Sequence, residues 1–205
     1  MSIITKPVSI CVFGDSTAWG AWDLDKGGWV SRLWFYVANV NDEDYVEIYN
    51  QSVSGGTTNT ILQRFEFEAR ARNADALIFQ TGANDALYEH TPGNYLVSPD
   101  KFRSNLEGII KRAKQITKNI VFMDLKNCEE SKTTPVAWDD LYYTNENIKK
   151  YSAIMQEVCQ KNDIAFLDLQ PLNADDFDDG LHPNAKGHEK IFIQVKDFLI
   201  ASGWI

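Results

Sequence analysis

Apolar positions along the chain follow two periods, and the two alternate. Val8 to Phe13 is a short apolar-rich run and predicts a first strand. Trp29, Val30, Leu33, Trp34 and Val37 then recur at helical spacing, the stripe of an amphipathic helix whose tryptophans are expected in the core. A second strand is expected over Tyr45 to Tyr49. Ile61, Leu62, Phe65 and Ala69 mark a second helix, entered through Thr57 and Thr58. Ala76 to Phe79 is a third strand. Ser98-Pro99 opens a helix as cap plus first-turn proline, with Phe102, Leu106, Ile109, Ala113 and Ile116 on its inner face. Ile120 to Leu125 and Ile164 to Leu169 read as strands four and five. Ile148, Tyr151, Met155 and Val158 make the helix between them, and Ile191, Val195, Phe198 and Leu199 make the last one.

Strands that are apolar throughout, alternating with helices, imply a parallel sheet covered on both faces. Right-handed crossovers reduce the topology to a doubly wound sheet, so the expected fold is α/β, a three-layer αβα sandwich. At 205 residues, with no internal repeat, low-complexity segment or linker, residues 1–205 are expected to form a single domain. The segment from Lys126 to Asp140 is polar and irregular, and long enough to be a functional loop.

Composition narrows the partners. The net charge of −9 is spread along the chain, which disfavours nucleic acid and, more mildly, polyanionic substrates, against which only a local patch such as Lys111, Arg112 and Lys114 counts. No stretch approaches the roughly 20 apolar residues that span a bilayer, and the N-terminus lacks a leader's charged and apolar regions. Cys11, Cys128 and Cys159 are scattered without a disulfide spacing. A cytoplasmic location without membrane attachment is the expectation. No His/Cys/carboxylate cluster has metal-site spacing, so neither metal nor cofactor is expected.

The candidate chemistry lies just after strands or before the last helix, positions that share one edge of a parallel sheet. Ser16, in Gly14-Asp-Ser-Thr, follows strand one. Gly55, in Ser54-Gly-Gly-Thr, follows strand two. Asn84, in Thr81-Gly-Ala-Asn-Asp, follows strand three. Asp179 and His182, in Asp179-Gly-Leu-His-Pro, precede the final helix. Each alone has an ordinary reading: a turn at Gly14-Asp15-Ser16 or Gly55-Gly56, a surface histidine at His182, and a cap at Asp85 for whatever follows it. Together they supply the parts of acyl transfer. Serine needs a base to take its proton, His182 suits that task, and Asp179 can hold the imidazole tautomer. The Ser16 and Gly55 N–H groups and the Asn84 amide are candidate oxyanion donors. Asp15 is expected to hold the turn. His90 and His188 have no partner at useful spacing.

In order and placement, these segments resemble the four sequence blocks of the SGNH hydrolase (GDSL-type esterase/lipase) superfamily, over nearly the whole chain. The resemblance implies a five-stranded parallel, flavodoxin-like sheet, with Ser16 as nucleophile, Asp179 and His182 completing a triad, and Gly55 and Asn84 in the oxyanion hole. Thr17 departs from the leucine of the eponymous motif. Ala18 in place of a second glycine excludes the Gly-x-Ser-x-Gly elbow of α/β-hydrolases. A small-molecule ester is the expected substrate, with a short acyl group such as acetyl, because few long insertions are available to build a lipid channel. An acyl thioesterase is the nearest alternative, and a catalytically silent binding module is the alternative from another class. Trp19 and Trp22 lie off any helical stripe and, with Trp138, are candidates to wall the substrate pocket; Tyr88, His90 and Tyr95 are candidates to border it. Oligomeric state leaves no signature in the sequence.

Overall fold

The structure, a computed structural model, describes residues 6–40 and 45–205; the stretch from Met1 to Thr5 lies outside them. The chain runs β1 (Ser9–Gly14), α1 (Ser16–Trp19), α2 (Gly28–Val40), β2 (Glu47–Asn50), α3 (Thr58–Ala71), β3 (Ala76–Gln80), β4 (Tyr88–Glu89) and α4 (Pro99–Ala113). It continues through β5 (Asn119–Met123), α5 (Glu130–Thr133), β6 (Leu141–Tyr142), α6 (Asn145–Lys161), β7 (Ala165–Leu167), a 3₁₀ turn (Ala174–Asp176) and α7 (Ala185–Ala201).

Five strands pair in parallel in the order β2-β1-β3-β5-β7. Counted along the main sheet, this is the flavodoxin-like order 2-1-3-4-5, whose switch point lies between β1 and β3. Strand pleating sends alternate side chains of β1 to opposite faces. Cys11 and Phe13 join Phe65 of α3, Phe102 of α4 and Tyr151 of α6 in one core. Ile10 and Val12 join Trp29 of α2 and Ile191 of α7 in the other. Both faces are therefore covered, which is why the strands read as continuous apolar runs. The helix expected at Ser98-Pro99 begins there, with the Ser98 hydroxyl accepting from the Lys101 N–H.

The structure departs from expectation in definable places. Strand ends shift by one or two residues: ladder bonds carry β1, β2 and β3 one residue further, to Gly14, Asn50 and Gln80, whereas the apolar runs of β5 and β7 continue past the last ladder bond. Tyr45 and Val8 lie outside β2 and β1 and are exposed. Ile116 follows the end of α4 and still packs against the core. Trp34 is 45% exposed rather than buried, because α2 covers the sheet with a stripe narrower than its apolar residues suggest. The segment from Lys126 to Asp140 is not wholly irregular: it contains α5, buries Cys128, Thr133 and Val136, and leads into β6, which pairs antiparallel with β4 in a small second sheet. Two-residue strands carry too little periodicity to be read in advance. Among the described residues, no helix is long and apolar enough to cross a membrane.

Candidate active site

β1 ends at Gly14, where crowding leaves no room for a side chain. A Cβ there would lie 2.5 Å from the Ala18 Cβ and 2.7 Å from the Gln80 carbonyl oxygen. The chain turns at once into α1, with Asp15 as its N-cap: the carboxylate accepts from the Thr17 N–H at 2.9 Å. Asp15 thus holds the turn, as expected, and Ser16 is presented at the first position of α1.

Asp179 and His182 meet Ser16 across the sheet edge. The His182 Nε2 lies 2.9 Å from the Ser16 Oγ, and its Nδ1 lies 2.7 Å from the Asp179 Oδ2. A carboxylate only accepts, so Nδ1 carries the proton and Nε2 is left to accept from the serine hydroxyl. The other Asp179 oxygen accepts the backbone N–H groups of Leu181 at 2.9 Å and His182 at 2.7 Å. Burial disfavours the Asp179 charge, yet the hydrogen bonds from the His182 ring and backbone outweigh it. Together with the nearby imidazole and the Leu181 N–H, they hold the carboxyl well below the usual carboxylate range.

Hydrogen bonds tie together the segments that carry the candidate oxyanion donors. Gly55 has φ +74, a conformation that favours glycine, and the space where a Cβ would stand is open. Its loop is tied to the base of the serine turn, since the Val53 N–H donates to the Gly14 carbonyl at 3.0 Å. It is tied to Asn84 as well, whose Nδ2 donates to the Gly56 carbonyl at 2.9 Å. Among the described residues, the N–H groups of Ser16 and Gly55 have no hydrogen-bond partner. Asp85 does not cap a helix after it. It reaches back to α3, accepting from the Thr58 N–H and hydroxyl, and burial pushes its carboxyl up to about 6.

Two neighbours of this site, Lys126 and Tyr143, went unread in the sequence, and a third, Trp22, was read only as a pocket wall. Lys126 is buried three residues after β5, and its Nζ donates to the Leu181 carbonyl at 2.7 Å, next to His182. Burial lowers its pKa, while the charges of Asp15 and Asp179 act in the opposite sense. Its signal was positional: it follows a strand at the same edge as Ser16 and Asn84. Tyr143, also buried, donates its hydroxyl to the Asn84 Oδ1 at 2.8 Å. The Trp22 Nε1–H donates to the Asp179 Oδ2 at 3.1 Å.

The candidate pocket residues separate. Trp22 and Trp138, 48% and 51% exposed, lie with ring centroids 6.0 and 5.8 Å from the His182 ring. Trp19 is exposed on α1 and makes no ring contact with the site residues. Tyr88 and Tyr95 pack against each other, and His90 faces Asp140 at 3.4 Å. His188, passed over for want of a local partner, has two distant ones. Its Nδ1 accepts from the Trp29 N–H at 3.3 Å and its Nε2–H donates to the Ala21 carbonyl at 2.8 Å. All three cysteines are free and buried, and among the described residues no cluster of ligating side chains could hold a metal ion.

Comparison with known proteins adds an independent line. No curated protein sequence matches the chain significantly. Among solved structures, an acetylxylan esterase from Geobacillus stearothermophilus superposes with a TM-score of 0.76 at 19% identity, covering 98% of each chain. A lipase/acylhydrolase from Enterococcus faecalis gives 0.75 at 22% identity, covering 95% of this chain and 96% of its own. LAE5, an alpha/beta hydrolase enzyme from the metagenome of Lake Arreo, Spain, gives 0.75 at 19% identity, covering 98% and 97%. The family model of the GDSL-like Lipase/Acylhydrolase family matches residues 12–190, from within β1 into α7. The chain therefore belongs to the GDSL-like Lipase/Acylhydrolase family and is a carboxylic ester hydrolase.

Proposed function

We propose that the protein is a serine esterase that cleaves small, short-acyl esters such as acetyl esters through an acyl-enzyme on Ser16. The observation that carries this reading is the continuous path from the Ser16 Oγ to the His182 Nε2, and from its Nδ1 to Asp179. In the first half-reaction the Ser16 Oγ attacks the ester carbonyl carbon and its proton passes to the His182 Nε2. Negative charge gathers on the carbonyl oxygen, facing the N–H groups of Ser16 and Gly55 and the Asn84 amide. Collapse breaks the bond to the alcohol, whose oxygen takes the proton back from Nε2. Water then repeats the sequence on the acyl-enzyme, giving up its proton to His182 and releasing the acid and free Ser16. Asp179 stays ionised throughout and stabilises the imidazolium.

Because His182 protonates the leaving alkoxide, aromatic surface beside its ring belongs to the alcohol side of the substrate. Trp22 and Trp138 are in that position and offer flat, half-exposed faces to a small alcohol or sugar. The acetylxylan esterase among the structural neighbours supports the acetyl reading. Its catalytic mutants replace a serine, an aspartate and a histidine, the last two three positions apart, as Asp179 and His182 are.

Replacing Ser16 by alanine tests the reading. Ser16→Ala is expected to reduce hydrolysis of p-nitrophenyl acetate to background with circular dichroism unchanged, and undiminished turnover would refute a Ser16 nucleophile. A panel of p-nitrophenyl esters is expected to show kcat/KM falling as the acyl chain lengthens from acetate to decanoate.

A further inference from the structure

We propose that Tyr143 is a positioning residue for the oxyanion donor Asn84, fixing which way the side-chain amide faces. The hydrogen bonds leave a single arrangement. A carbonyl only accepts, so the Gly56 oxygen, 2.9 Å away, requires the Nδ2 end of Asn84 to face it. The Asn84 Oδ1 then faces the Tyr143 hydroxyl at 2.8 Å, and because an amide oxygen only accepts, that hydroxyl must donate. One Nδ2–H is committed to Gly56. Among the described residues the other has no partner, and it is the proton available to a developing oxyanion.

Tyr143 is built for constancy in this role. Burial raises its phenol well above the ordinary tyrosine value, so it remains a donor throughout the working range. Its backbone is clamped as well: its N–H donates to the Thr133 carbonyl at 2.8 Å, and its carbonyl accepts the Thr133 hydroxyl at 2.8 Å. With Gly56 alone the amide is held at one end only, and its Oδ1 end is free to swing, which carries the second Nδ2–H away from the oxyanion. A donor that does not reorganise during reaction is what makes such a site effective. This gives the segment after β5 a function: its buried end is a strut behind the oxyanion donor.

The inference rests on the oxyanion role proposed for Asn84, and a double-mutant cycle separates the two. Asn84→Ala is expected to lower kcat by about 10²–10³. Tyr143→Phe keeps the ring and removes only the donor; it is expected to lower kcat about tenfold with KM within twofold of wild type. In the Asn84→Ala background the same change is expected to alter kcat less than twofold, because there is no amide left to orient. Full activity of Tyr143→Phe, or an equal loss in both backgrounds, overturns the positioning role. An undiminished kcat in Asn84→Ala overturns the oxyanion role instead. If Tyr143→Phe fails to fold, Thr133→Val removes the hydroxyl that anchors the Tyr143 carbonyl and is run through the same cycle with the same readings.

Discussion

Asp179 accepts four hydrogen bonds: two from backbone N–H groups on one oxygen, and two from the His182 ring and the Trp22 indole on the other. Such a carboxylate is fixed in place and in charge, and its value lies in dictating the His182 tautomer. Asp179→Asn keeps the shape but sets an uncharged amide against Nδ1, which favours the proton on Nε2, where it blocks acceptance from Ser16. A loss in kcat of about 10⁴ is expected, the size typical when a Ser-His-Asp triad exchanges its carboxylate for an amide. A loss below tenfold, measured in steady-state kinetics, would contradict the assignment. The spacing of Asp179 and His182 was legible because both lie on one short turn. The Trp22 bond was not, because its partner lies 157 residues away and an indole N–H carries no sequence motif.

At the scale of elements, the informative differences are in how segments are tied together. His188 on α7 holds the first turn of α2 through Trp29, and holds the chain just before Trp22 through Ala21. It therefore links the helix behind the site to the loop in front of it. Burial lowers its pKa from 6.5 to about 4, with the bond to Ala21 opposing the shift. In the unfolded chain the imidazole takes up a proton near 6.5, but in the folded one only near 4. Across that window the unfolded state binds more protons, so this residue makes stability fall as pH falls. Between pH 7 and 4.5, wild type is expected to lose about 2–3 kcal/mol more than His188→Gln in denaturant unfolding. Parallel slopes for the two proteins would contradict this. Reading along the sequence could not supply this role, because helical spacing shows which residues share a face and says nothing of contacts from other elements. The small β4–β6 sheet was hidden for a related reason, each strand being only two residues long.

For the whole molecule, a parallel sheet explains why residues far apart in sequence meet. Ser16 follows β1, Asn84 follows β3 and Lys126 follows β5, with β1 and β3 adjacent across the switch point. The five strands and the helices on both faces were legible because apolar runs and helical stripes are direct imprints of burial. The sheet edge at which the candidate site residues gather followed from the same reading. Less legible was the charge arrangement at that end, since a buried Lys126 near Asp15 and Asp179 depends on packing in three dimensions. The central claim, that Ser16 becomes acylated, is tested most directly by trapping the intermediate. Acid quenching of p-nitrophenyl acetate turnover, followed by intact-mass measurement and peptide mapping, is expected to find one acetyl group on Ser16 and none in Ser16→Ala. An acetyl group on another residue, with Ser16→Ala still turning over substrate at the wild-type rate, would contradict the account.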